Sequence, residues 1–100
     1  MEKARKKYRE VLQTYRELAQ KNQEAYRPSI AATLNNLGNI DFDQHKLDEA
    51  RKEFGEALEM YEILAKQDPE QFTPKVERLK KMLEQLSSIV KTPGKVHADQ

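Results

Sequence analysis

The chain has 100 residues, which suffices for one domain with a modest core but not for two. The 18 basic and 17 acidic residues give a formal net charge of +1, a balance that gives no case for a general nucleic-acid binder. Cysteine is absent, which excludes disulfides, thiolate zinc sites and thiol nucleophiles. The longest apolar runs have three residues, so the sequence predicts no membrane span, no secretory signal and a cytoplasmic location.

Apolar residues recur at spacings of three and four along most of the chain, as they do on one face of an α-helix. No segment alternates with period two, so the predicted class is all-α. Pro28 and Pro74 are each predicted at the first position of a helix, where the missing N–H costs nothing. The four predicted helices are about 2–22, 28–43, 47–67 and 74–91. Thr92, Pro93 and Gly94 then predict a disordered tail over 92–100.

An internal repeat appears when the chain is shifted by 46 residues. Residues 2–28 then align with residues 48–74, and 10 of the 27 positions are identical. Two further positions exchange tyrosine for phenylalanine, which keeps the aromatic ring. The first and third helices are therefore copies of one unit, and self-similarity at such a period is typical of repeat proteins.

A motif that spans the second and third predicted helices resembles the tetratricopeptide repeat. It consists of Leu34, Leu37-Gly38, Ala50, Phe54 and Ala57. The segment 32–39 is similar to the long-repeat subtype found in kinesin light chains and in bacterial signalling and scaffold proteins. The resemblance implies an α-solenoid segment of four antiparallel helices over 1–91, arranged as a half repeat, one full repeat and a half repeat.

Three positions in this motif carry structural expectations. Gly38 inside a helix predicts a close approach of the next helix, which the small side chains Ala50 and Ala57 would permit. Asp41 stands where the family usually has an aromatic residue, and we expect it to be exposed or hydrogen-bonded to His45. His45 stands where a glycine usually closes the turn, which predicts a left-handed backbone.

The resemblance also implies a concave groove that holds an extended peptide or a partner helix. Carried over by position, the groove residues are Asn35, Asn39, Phe42 and Asp43 from the second helix and Arg78, Lys81 and Gln85 from the fourth. Asparagine amides both donate and accept hydrogen bonds, which suits a peptide backbone. The predicted function is a non-catalytic protein-interaction module whose partner is another protein or peptide.

Other functions are considered beside this one. The chain has no nucleophile–base pair and no phosphate-binding glycine loop, so we expect no enzyme, no metal and no cofactor. The basic cluster Lys3, Arg5, Lys6, Lys7 and Arg9 is interpreted as a solvated helix face rather than a nucleic-acid or membrane contact. The alternative function is a structural unit of a longer array, or a homo-oligomer, with no ligand of its own.

Overall fold

The computed structural model describes the backbone of residues 2–99 and the side chains of residues 2–89. Four helices account for nearly all of this range, and the residues so described include no strand. The helices are α1 (Glu2–Ala19), α2 (Gln23–Asp43), α3 (Leu47–Gln67) and α4 (Pro69–Asp99). The prediction of an all-α chain with four helices is confirmed. Helix α4 extends past the predicted end near residue 91, but side chains after Ile89 lie outside the described residues, so the tail over 92–100 stays a prediction.

The predicted positions of Pro28 and Pro74 at helix starts are wrong. Both prolines lie in the second turn of a helix, because α2 and α4 begin earlier than their prolines suggest. The starts are set by side-chain caps instead. The Ala25 N–H donates to Asn22 Oδ1 at 3.2 Å, and the Gln71 N–H donates to Asp68 Oδ1 at 3.3 Å. These caps are 46 residues apart, so the repeat extends to the capping chemistry.

Consecutive helices pack against each other in the order α1–α2–α3–α4, with a single core between them. The side chains at its centre come mainly from α2 and α3, and include Leu34, Leu37, Ala50, Phe54 and Ala57. Burying such side chains contributes about 25 cal/mol per Å² of apolar surface, which makes this seam the main source of stability. The aromatic residues predicted to be structural also pack in repeat-equivalent pairs. Tyr15 lies 6.1 Å from Tyr26, and Tyr61 lies 5.9 Å from Phe72, between ring centroids.

Gly38 makes a close contact with α3, as predicted, but its partner is different. A Cβ atom added at Gly38 would lie 2.7 Å from Cε1 of the Phe54 ring. The ring of Phe54 itself therefore fills the space above the glycine. Ala50 and Ala57 are fully buried on the same side of α3, at positions where larger side chains would hold the helices apart.

The turn between α2 and α3 confirms the prediction for His45. Its φ angle is +63°, in the left-handed region where glycine is most easily accommodated. Backbone hydrogen bonds hold the turn, from the His45 N–H to the Phe42 carbonyl at 3.0 Å and from the Lys46 N–H to the Asp41 carbonyl at 2.8 Å. The turn therefore tolerates histidine at a strained position because the flanking backbone is well bonded.

Candidate functional site

A shallow surface lies between α2 and α4, which both pack against α3. It contains a cavity of about 20 Å³ lined by Asn35, Tyr61, Lys75, Arg78 and Leu79. The structure therefore brings together Asn35 and Arg78, which the sequence placed on different helices of the predicted groove. Asn35 is half-buried and Arg78 is exposed, so an amide and a guanidinium are presented side by side.

The other predicted groove residues extend this surface along the two helices. Asn39 and Asp43 are exposed on α2, while Phe42 is half-buried and packs against the core. Lys81 and Gln85 are exposed on α4, one and two turns after Arg78. The structure does not bring these five residues into the small cavity beside Asn35. They form its flanks, and Phe42 has a packing role in addition to any contact.

Three residues of the cavity, Tyr61, Lys75 and Leu79, were not among the predicted groove residues. Lys75 extends over Tyr61, with its ammonium nitrogen 5.9 Å from the ring centroid, a cation–π arrangement. Burial raises the pKa of the Tyr61 phenol, so this hydroxyl stays protonated and can donate a hydrogen bond. Lys75 precedes Arg78 by three residues, so helical spacing was the signal that could have placed it on the same side.

A second feature, a buried charge cluster, lies where α1 meets α2 and α3. The Arg5 guanidinium donates from Nε to Asp41 Oδ1 and from Nη2 to Glu49 Oε2 at 3.0 Å. Asp41 is fully buried, so its predicted exposure and its predicted bond to His45 are both wrong. Arg5 is buried as well, and the prediction that it belongs to a solvated face is wrong. Its spacing of seven from Leu12 was the overlooked signal, because such spacing keeps two residues on one stripe of a helix.

Glu53 completes this cluster from α3. Its Oε1 and the Asp41 Oδ2 are both shielded from solvent, and neither has a hydrogen-bond partner among the described residues. Burial, and then the neighbouring Asp41 carboxylate, raise the pKa of Glu53 to about 8. A pKa above neutrality favours a protonated Glu53, so the two unpaired oxygens belong to a neutral acid beside a carboxylate rather than to two like charges. The bond to Asp41 also raises the pKa of Arg5, which remains a cation.

Comparison with known proteins identifies the family. The profile described as "Tetratricopeptide repeat" matches residues 1–63, which include α1, α2 and most of α3. The chain belongs to the tetratricopeptide repeat family. No curated protein and no solved structure matches the chain. Tetratricopeptide repeats generally mediate protein–protein interaction and are typically non-catalytic.

The tetratricopeptide hairpin α2–α3 also forms the floor and one wall of a larger cavity. This space of about 550 Å³ opens between α1 and α3, above Leu34 and Leu37 of α2. Ion pairs cross it from α1 to α3, from Arg16 Nη2 to Glu56 Oε2 at 2.8 Å and from Arg9 Nη2 to Glu49 Oε2 at 3.7 Å. These pairs are half-exposed, and such pairs contribute at most about 1 kcal/mol each.

Two kinds of feature were not found in the described part of this tetratricopeptide chain. No helix among the described residues is long and apolar enough to cross a membrane. Within the same residues, no three histidine, aspartate or glutamate side chains are grouped so that they could hold a metal ion.

Proposed function

We propose that the chain is a protein-interaction module that binds a peptide or a helix of another protein on the surface between α2 and α4. The observation that carries this proposal is the pairing of Asn35 with Arg78 beside one small cavity, although the two residues are 43 positions apart. An amide can bond either kind of peptide backbone group, and a guanidinium binds carboxylates through two parallel hydrogen bonds. A peptide with an acidic side chain near an exposed backbone segment suits this pair.

The flanking residues set the length and direction of such a ligand. Asn39 continues the amide row on α2, and Lys81 continues the basic row on α4. Asp43 ends the row on α2, and Gln85 ends the row on α4. Phe42, which packs against the core, adds an apolar contact at the same end of α2. The proposed ligand therefore runs along the two helices and carries acidic groups on the side that faces α4. We place this module in the cytoplasm and in the long-repeat subtype, both as parts of the same proposal.

The test begins with peptides selected from a random displayed library against the immobilised protein. Binding of each selected peptide is then measured for Asn35→Ala and Asn39→Ala, with Gln13→Ala, which removes an exposed amide on α1, as the matched control. Alanine is the better helix former, so none of these changes should unfold the chain. We expect each groove variant to weaken binding roughly two- to tenfold, the value of one hydrogen bond, and the control to bind normally. Equal binding by all variants would reject this surface.

A structural role in a longer array is the second candidate, favoured by the large apolar side chains exposed on α1. Val11 and Leu18 are 37% and 45% exposed, although they lie on the apolar side of an amphipathic helix. An array unit would cover them with a neighbour and would select no peptides that depend on Asn35 or Asn39. The same library experiment therefore separates the two candidates.

A further inference from the structure

We infer that the outer side of α1 is a second docking surface, which binds an acidic amphipathic helix of a partner protein. We call this surface the α1 stripe; it consists of Ala4, Tyr8, Val11, Tyr15 and Leu18, of which Val11 and Leu18 are exposed and the other three are half-buried. It lies away from the proposed peptide surface, to which α2 and α4 contribute and α1 does not. The inference is independent of the proposed function and rests on the repeat itself.

The internal repeat provides the reference for what should cover the α1 stripe. Its five residues are equivalent to Ala50, Phe54, Ala57, Tyr61 and Leu64 of α3. In α3 all five are buried, because α2 and α4 cover that helix from two sides. Helix α1 is covered by α2 alone. Val11 and Leu18 are therefore 37% and 45% exposed, whereas their equivalents Ala57 and Leu64 are 0% and 6% exposed. The difference in burial between equivalent residues corresponds to one missing helix.

The α2–α3 contact specifies the chemistry of that missing helix. Phe54 packs on Gly38, and Glu53 lies beside Asp41, three residues further along α2. The residues of α1 equivalent to Phe54 and Glu53 are Tyr8 and Lys7. A docking helix therefore needs a small residue to receive the Tyr8 ring and an acidic residue three positions later to pair with Lys7. Lys3, Lys6 and Arg9 add positive charge to the same end of α1, which favours a helix of acidic character.

A second copy of this chain fits the stripe poorly in both arrangements that the fold allows. Pairing two α1 helices would bring together two segments that each carry six basic and three acidic side chains, and their like net charges repel. Head-to-tail stacking would place α4 on α1. At the α4 positions equivalent to Leu34 and Gly38, however, the chain has Lys80 and Glu84. These long charged side chains stand where α2 has an apolar leucine and a glycine without a side chain.

The probe for the experiment is a fluorescent peptide with the sequence of α2, Gln23–Asp43, which carries both Gly38 and Asp41. Its binding is measured by fluorescence anisotropy to the intact chain and to Val11→Glu. The matched control is Ile63→Glu, which places the same charge at another exposed apolar position, on α3. We expect the wild type and the control to bind equally and Val11→Glu to bind at least tenfold more weakly, because a carboxylate is costly to bury in an apolar contact. Circular dichroism confirms that both variants stay helical.

A charge exchange tests the predicted register. Lys7→Glu should weaken binding of the probe, and a probe carrying Asp41→Lys should bind Lys7→Glu better than it binds the wild type. A probe carrying Gly38→Leu should not bind, because its side chain occupies the place of the Tyr8 ring.

Three outcomes would overturn the inference. One is an absence of probe binding to the wild type. Another is the same binding to Val11→Glu as to Ile63→Glu: unchanged binding to both would mean that the peptide exchanges with the chain's own α2, and an equal loss in both would mean that it binds without a defined site. The third is a concentration-dependent mass of the unliganded chain that Val11→Glu abolishes, which would assign the stripe to a second copy.

Discussion

At Gly38 the absence of a side chain determines how closely α2 and α3 approach. The ring of Phe54 occupies the volume that a Cβ atom would need. Gly55 follows Phe54 on α3, and a Cβ atom added there would have no neighbouring atom within 4 Å. Gly38 and Gly55 are therefore helical glycines in opposite situations, one required by packing and one not.

This contrast predicts opposite effects of one substitution. Alanine is the better helix former by about 1 kcal/mol, so Gly55→Ala should raise the free energy of unfolding by up to that amount. Gly38→Ala should lower it by about 1–3 kcal/mol, because the overlap with Phe54 exceeds the gain in propensity. Urea denaturation of the two variants measures both effects. Stabilisation by Gly38→Ala would mean that the ring can move and that the seam is loosely packed.

The ring of Phe54 should itself be among the most costly side chains to remove. Phe54→Ala is expected to lower the free energy of unfolding by about 3–5 kcal/mol, which can unfold a domain of this size. Ile63→Ala on the same helix is the control and should change it by less than about 1 kcal/mol, because Ile63 is largely exposed. Thermal unfolding followed by circular dichroism compares the two. An unchanged melting temperature for Phe54→Ala would contradict the packing of α2 against α3.

The left-handed residue of the turn offers a third test at this scale. His45→Gly should be neutral or stabilising by up to about 1 kcal/mol, because glycine adopts a φ of +63° without strain. The measurement is the midpoint of urea unfolding. A clear loss of stability would give the imidazole a role that its exposed position does not suggest.

At the scale of the helices, the buried charge cluster links α1, α2 and α3 to one another. Among these three, backbone packing joins only α1 to α2 and α2 to α3. Arg5 from α1 bonds Asp41 from α2 and Glu49 from α3, although α1 and α3 make no direct backbone contact. Glu53 from α3 adds a neutral acid to the same cluster. A buried group of this kind needs every partner in place, so it fixes the relative position of the helices.

The cluster makes stability depend on pH in a defined direction. The pKa of Glu53 is about 8 in the folded chain and near its ordinary 4.5 in the unfolded chain. The folded state therefore binds more protons between these values, and stability should fall as pH rises through that window, by at most about 1.4 kcal/mol per pH unit. Glu53→Gln keeps a neutral polar side chain beside Asp41 and cannot ionise, so its stability should decline less. Urea unfolding at several pH values compares the two proteins, and parallel pH profiles would show that Glu53 is already ionised at neutral pH.

At the scale of the whole molecule, the two ends of the helical stack differ. The α1 end exposes Val11 and Leu18, whereas the outer side of α4 carries exposed Glu77, Lys80 and Glu84. A polar outer side is what a terminal helix of a repeat protein needs. The two ends therefore differ in chemistry: the α1 end exposes Val11 and Leu18 close together, whereas the described outer side of α4 is mainly charged and exposes one large apolar side chain, Ile89.

This asymmetry predicts how self-assembly could be introduced. Lys80→Leu combined with Glu84→Gly gives α4 the residues that α2 uses against α3, so α4 of one molecule should then pack on the α1 stripe of the next. We expect the double variant to form concentration-dependent oligomers in sedimentation experiments, and the wild type to remain monomeric. The control, Glu62→Gly with Lys66→Leu, makes the reverse-ordered pair of changes on the exposed side of α3. Oligomers of both variants would indicate non-specific association.

The sequence predicted the helices more accurately than their ends. The bounds of α3 were correct, because its apolar spacing and the flanking turn agree. The predicted starts of α2 and α4 were several residues too late, because proline favours the first helical position and Pro28 and Pro74 indicated it. The actual starts follow the N-cap residues Asn22 and Asp68. Of the predicted surface, the pairing of Asn35 with Arg78 is present in the structure, while binding at that surface remains a proposal.

Local chemistry along the chain determined the repeat, the helical class, the left-handed turn at His45 and the need for a small residue at position 38. Each of these depends on spacing or on backbone geometry, which neighbouring residues fix. Only the tertiary structure decided that Arg5, Asp41 and Glu53 are buried. The cost of burying a charge depends on its partners, and those of Arg5 lie 36 and 44 residues away in the sequence. Tertiary structure also decided which apolar residues of α1 remain exposed, since burial is a property of the neighbouring helix and not of the helix that carries them.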